Sequence, residues 1–135
     1  MVKGIRIESL TKASLTEKTE YVLKNISLFQ TEGYSEFLFF SVKLVIWEIF
    51  CNLIEHGGEI ATHWIDIEVE EFESQLILSI YSNGSGFSWE SYKNIQCPEI
   101  SRIGGRGLYL IQQVCDFTYD ESGRNAKAIF NIVKS

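Results

Sequence analysis

The sequence predicts an α+β fold, a two-layer sandwich with helices on one face of a mostly antiparallel, mixed sheet. Three observations predict it. The strand-like runs come in neighbouring pairs, "HWIDIEVEEF" with "SQLILSIYS" and "FTYDE" with "KAIFNIVK", each pair separated by a short polar step that reads as a hairpin. The two long helical patterns stand next to each other ahead of those pairs, so the order is β-α-α-β-β-loop-α-β-β instead of a strict strand–helix alternation. Finally, 135 residues with 45% apolar and 13% aromatic content suffice for one ordinary core, and a single domain over residues 1–135 is expected.

Each element has a local reason. "GIRIESL" alternates apolar and polar residues and reads as a strand. Residues 14–30 read as a moderately amphipathic helix that stops near Gly33, and residues 35–56 as a longer one ended by Gly57-Gly58, where C-terminal glycines belong. The first hairpin follows. Residues 83–103 are irregular, residues 107–115 are a helix with Leu108, Ile111 and Val114 on its apolar face, and the last hairpin turns through Ser122-Gly123-Arg124-Asn125. There is no repeat, no low-complexity tract and a single proline, Pro98, so nothing marks a linker.

Composition excludes several function classes. A formal net charge of -6 without a basic stripe argues against nucleic acid or an anionic membrane as partner. "MVKGIRIESL" has no apolar leader, and "FLFFSVKLVIWEIF" is interrupted by Ser41, Lys43 and Glu48, which reads as a core helix too short between charges to span a bilayer. A cytoplasmic protein is the expectation. Cys51, Cys97 and Cys115 lack metal-ligand spacing, and Cys51 and Cys115 lie in apolar segments, as buried thiols do.

The helix over residues 35–56 carries the first chemical signal. Ser41, Glu48, Asn52, Glu55 and His56 fall within about 100° of one another around an otherwise apolar helix, with only Val45 interrupting. Such a stripe is either the exposed face of a core helix or a site that hydrogen-bonds its polar groups. The second signal is "ISRIGGRGLYLIQQV", where glycines open a helix: backbone N–H groups approach an anion closely there, and the helix dipole favours phosphate. A tight loop ahead of a helix is the plain alternative. The third is "IYSNGSGF", a strand that ends in a glycine corner.

In this order the three stretches, Glu48-x-x-x-Asn52, then Asn83-Gly84-x-Gly86-Phe87, then Gly105-Arg106-Gly107-Leu108, resemble the ATP-binding domain of the GHKL superfamily, shared by gyrase, Hsp90, histidine kinases and MutL proteins. Within it the chain is most similar to the small stand-alone anti-sigma-factor serine/threonine kinases. The resemblance covers nearly the whole chain and implies the Bergerat ATP-binding fold. It also implies a role for each residue. Asn52 matches the asparagine whose oxygen holds Mg²⁺ against the ATP phosphates, and Glu48 matches the carboxylate that serves as general base. Gly105, Arg106, Gly107 and Leu108 match the segment whose amides meet the phosphates. Gly84 and Gly86 match the glycines beside the adenine, and the residues from about 88 to 103 match a short lid. His56 matches a position where this kinase group often has histidine, and reads equally as a polar residue at a helix end.

The base end departs from the family. Ser82 stands where an aspartate accepts the adenine amino group, and "RNAKAIF" has Asn125, Ala126 and Ala128 near the usual Gly-Thr step. A charged acceptor contributes about 1.5–3 kcal/mol and a neutral one about 1, so the serine costs about tenfold in ATP affinity. Ser82 still accepts through its hydroxyl, Asn83 offers a carboxamide, and a hydroxyl also donates to a guanine O6.

Two classes of function follow from the resemblance. One is an enzyme of transcription regulation that transfers the γ-phosphate of Mg·ATP to a hydroxyl of an anti-anti-sigma-like antagonist and sequesters a sigma factor. The other is a protein-binding module with weak or no nucleotide binding. The resemblance also implies a homodimer, with Phe37, Phe39 and Trp47 as surface or core. Only His56 and His63 are present, and the chain has no room for a phospho-accepting helical hairpin or for transducer domains, against a histidine kinase, topoisomerase or chaperone.

Overall fold

The computed structural model describes residues 2–8, 10–30, 33, 35–56, 64–82, 110–120 and 125–132. Strands β1 (Val2–Glu8), β2 (Trp64–Glu71), β3 (Gln75–Ser82), β4 (Asp116–Tyr119) and β5 (Asn125–Asn131) form one sheet in the order β1-β2-β3-β5-β4. Every pairing among them is antiparallel. Both expected hairpins are present. The first is closed by the Phe72 amide donating to the Gln75 carbonyl at 2.8 Å.

The period-2 alternation decides which face is covered. Ile5, Ile67, Ile80, Ala126 and Tyr119 form one cross-strand row, and Ile7, Ile65 and Ser82 the next. All of these are buried. The opposite face is polar: Arg6 grips Asp66 with two 2.7 Å hydrogen bonds and lies 5.0 Å over the Trp64 ring. Helices α1 (Leu15–Lys24) and α2 (Glu36–His56) supply Val22, Leu23, Val42, Ile46, Ile49, Phe50 and Leu53 to the core on the apolar side. A fully buried Phe50 or Phe130 contributes about 2–3 kcal/mol each by removal from water. By length and composition Glu36–Ile54 would also serve as a membrane span despite Lys43 and Glu48, and half of it is buried in this fold.

The expected helix over residues 14–30 is three pieces. A 3₁₀ turn at Lys12–Ser14 opens on a reciprocal cap, Ser14 N–H to Thr11 Oγ1 at 3.2 Å and Thr11 N–H to Ser14 Oγ at 3.0 Å. α1 then ends at Lys24, because the Asn25 side chain donates to the Tyr21 carbonyl at 2.8 Å and takes up a last-turn acceptor. A second 3₁₀ segment, Ser27–Gln30, is held by Glu71 of β2, whose Oε1 accepts from the Leu28 amide at 2.6 Å. Gly33 follows with φ +96°, a left-handed value that costs other residues strain. Ser35 Oγ then accepts from the Phe37 amide at 3.2 Å at the start of α2.

One open alternative is decided and one expectation changes. Phe37 is 70% exposed, so it is surface and not core, whereas Phe39 and Trp47 are half-buried. Cys51 and Cys115 are half-buried instead of buried. The Cys115 thiol is pushed up to about 12 by desolvation first and by the neighbouring Asp116 charge second.

Candidate functional site

The polar stripe of α2 divides in the fold. Ser41 is buried and its hydroxyl donates to the Phe37 carbonyl at 2.7 Å, so the helix itself satisfies it. Eleven residues separate it from Asn52, about 16 Å along the axis, and Val45 between them lies in the core. The stripe is therefore not the exposed face of the helix. That face carries Phe40, at 64% exposure, and half-buried Trp47. The side chains of Glu55 and His56 lie outside the described residues.

What remains is the pair one turn apart, Glu48 and Asn52. Asn52 is only 3% exposed, and its Nδ2 donates to the Tyr119 hydroxyl at 3.3 Å. Among the described residues no donor is paired with its Oδ1. A buried carboxamide oxygen with its nitrogen already engaged is the kind of neutral, hard donor that a magnesium ion accepts. No group of three or more His, Cys, Asp or Glu side chains is gathered for a metal among the described residues. Glu48 is half-buried, and its negative charge is near enough to Tyr119 to help raise the phenol above its ordinary value. Burial is the larger cause of that rise, and the Asn52 hydrogen bond opposes it.

Tyr119 is the residue that sequence reasoning missed. The alternation in "FTYDE" places Phe117 and Tyr119 on one face, and a buried tyrosine needs a hydrogen-bond partner. That was the available signal, although it does not say which partner. Ser82 closes β3 on the same face, 7% exposed and opposite Ile65, one inward-facing step beyond the row of Ile80, Ala126 and Tyr119. Ala126 and Ala128 also face inward and are buried. Asn125 does not join them: its Nδ2 donates to Asp120 Oδ2 at 2.5 Å, and its carbonyl accepts from the Asp120 amide at 2.9 Å, so it clamps the last hairpin.

Asn83, Gly84, Gly86, Gly105, Arg106, Gly107 and Leu108 lie outside the described residues, as does the expected lid. Residues 110–114 are helical and follow the glycine segment, with Ile111 fully buried as the apolar face requires. A groove of about 610 Å³ runs between β1 and α1 past Arg6, Glu17, Lys18 and Tyr21. It touches neither Glu48 nor Asn52, so its size does not make it the site of this chemistry.

The order of elements, the inward-facing Glu48–Asn52 turn and the buried end of β3 invite comparison with known nucleotide-binding domains. The chain is 32% identical over 123 residues to the serine-protein kinase RsbW of Listeria innocua, with 79% of this chain and 78% of that protein covered. The same figures hold for the serine-protein kinase RsbW of Listeria monocytogenes. Residues 11–129 match the histidine kinase-like ATPase domain, a span that runs from the cap of the first helical turn into β5, and to that family the chain belongs.

Proposed function

We propose that this chain is an ATP-binding regulatory protein kinase of the anti-sigma type. It phosphorylates a serine or threonine hydroxyl on an antagonist protein and holds a sigma factor when no antagonist opposes it. The observation that carries the reading is Asn52, a buried carboxamide with its nitrogen engaged, one turn from the half-buried carboxylate of Glu48. The similarity to two serine-protein kinases supports the same reaction class.

In this reading Glu48 receives the proton of the attacking hydroxyl as that oxygen bonds to the γ-phosphorus. The bond from the γ-phosphorus to the bridging oxygen breaks, and ADP departs with the electron pair. Asn52 is the residue that would hold Mg²⁺, which when bound neutralises developing charge on the phosphates. Gly105 to Leu108 hold the phosphates through backbone amides, with Arg106 adding its charge. Ser82, Asn83, Gly84 and Gly86 flank the base. The protein acts in the cytoplasm as a regulator of transcription, and exposed Phe37 and Phe40 offer an apolar surface for pairing two copies.

The test is phosphorylation of a cognate antagonist by wild type and by Glu48→Gln. Loss of about 10²-fold or more in rate is expected, and an unchanged rate sinks the assignment. A second reading, a binding module without turnover, is favoured by Ser82 at the base end and by Ala126 and Ala128 near the usual Gly-Thr step. Mg·ATP that leaves the melting temperature of the folded wild type unmoved would select that reading.

A further inference from the structure

We propose that Tyr119 is a positioning residue that fixes which end of the Asn52 carboxamide faces the nucleotide site, so that oxygen and not nitrogen is presented to Mg²⁺. This rests on the reading of Asn52 as the magnesium ligand.

A carboxamide is nearly symmetrical in shape and opposite in chemistry at its two ends: rotated by half a turn it offers a cation two N–H donors in place of an acceptor. An asparagine ligand therefore needs something to break the symmetry. Here the break comes from 67 residues away, where the Tyr119 hydroxyl engages Nδ2 at 3.3 Å. A phenol both donates and accepts, so its own orientation has to be settled as well. Nδ2 carries only donors, so at this contact the phenol oxygen is the acceptor.

The ring is held in turn. It stands edge-on to Phe117, with centroids 5.0 Å apart and planes at 90°, and lies opposite Ala126, whose small side chain leaves room on the inner face. Tyr119 is assigned no contact with the reacting atoms. Its effect passes through Asn52, in the way that partners of metal ligands orient them and typically change metal affinity by about 10–100-fold.

The test is calorimetric titration of the full chain with ATP, in Mg²⁺ and in EDTA, for wild type, Tyr119→Phe, Asn52→Ala and the double variant. Wild type is expected to bind more tightly with Mg²⁺, Asn52→Ala to lose that gain entirely, and Tyr119→Phe to lose about tenfold of it with metal-free affinity unchanged. The double variant should be no worse than Asn52→Ala. If Asn52→Ala loses the gain while Tyr119→Phe keeps it, or if the two losses add, Asn52 stands as ligand and the positioning role falls. If all four proteins show the same gain, or wild type does not bind, the ligand reading falls and takes the inference with it.

Should Tyr119→Phe fail to fold, the wild type decides by NMR. Cross-relaxation between the Asn52 Nδ2 protons and the Tyr119 ring is expected to persist in the Mg·ATP complex. Its disappearance there overturns the proposal.

Discussion

Truncating Asn52 to alanine separates a site residue from an ordinary core residue through stability alone. The side chain is 3% exposed and, among the described residues, makes one hydrogen bond, at 3.3 Å, to Tyr119. Losing that bond costs about 1 kcal/mol, while replacing asparagine by alanine inside a helix returns about 0.6 kcal/mol and removes a buried oxygen from an apolar setting. The ligand-free variant should therefore unfold within about 1 kcal/mol of wild type. Saturating ligand changes the comparison. At a hundred times its dissociation constant Mg·ATP stabilises a folded binder by about 2.7 kcal/mol, roughly 10 °C in melting temperature for a domain of this size. Thermal unfolding with and without Mg·ATP should show that rise in wild type and little of it in Asn52→Ala. A ligand-free loss of about 3 kcal/mol or more would make Asn52 a structural hydrogen-bonding residue instead; an undiminished rise in the variant would remove it from the site.

The other predictions concern the frame around the site. Gly33→Ala places a Cβ at φ +96° and should cost about 1–2 kcal/mol in urea unfolding although the space beside it is open; no change would mean the turn relaxes freely. Arg6 holds the Asp66 carboxyl below its ordinary value, chiefly through the hydrogen bond, so the folded pKa lies under the unfolded one. The pair's contribution is then present above the unfolded value near 3.8 and is lost as pH falls through the folded value. Asp66→Asn should accordingly lower the urea midpoint slightly at neutral pH and converge with wild type in acid, and a gap that widens in acid contradicts the assignment. Cys115, with its thiol pushed up to about 12, carries about a thousandfold less thiolate than an ordinary cysteine. Site-resolved mass spectrometry should find it alkylated by iodoacetamide only on unfolding, and rapid native labelling would contradict its placement.

Much of the architecture was legible in the chain because faces are set by local periodicity. The alternation of Ile5 with Ile7, of Ile65, Ile67 and Val69, and of Leu76, Leu78 and Ile80 decided which side of each strand is buried, and the sheet uses those faces. Spacing on a single helix likewise singled out Glu48 and Asn52, since residues four apart share a face whatever surrounds them. The motif order pointed to the ATPase family that residues 11–129 match.

Periodicity is silent about which side chains from distant segments meet, and the rest was decided there. The helix expected over residues 14–30 is cut at Asn25 because a carboxamide competes for backbone carbonyls, and the segment beyond is held by Glu71, 43 residues later. Ser41 shares a stripe with Asn52 on a helical projection, yet its hydroxyl returns to its own backbone. Arg6 finds Asp66 only because β1 pairs with β2 in that register. Helix spacing by itself puts an asparagine on the right face; the buried phenol that holds one end of its carboxamide arrives from an edge strand, because only the assembled sheet brings residue 119 against residue 52.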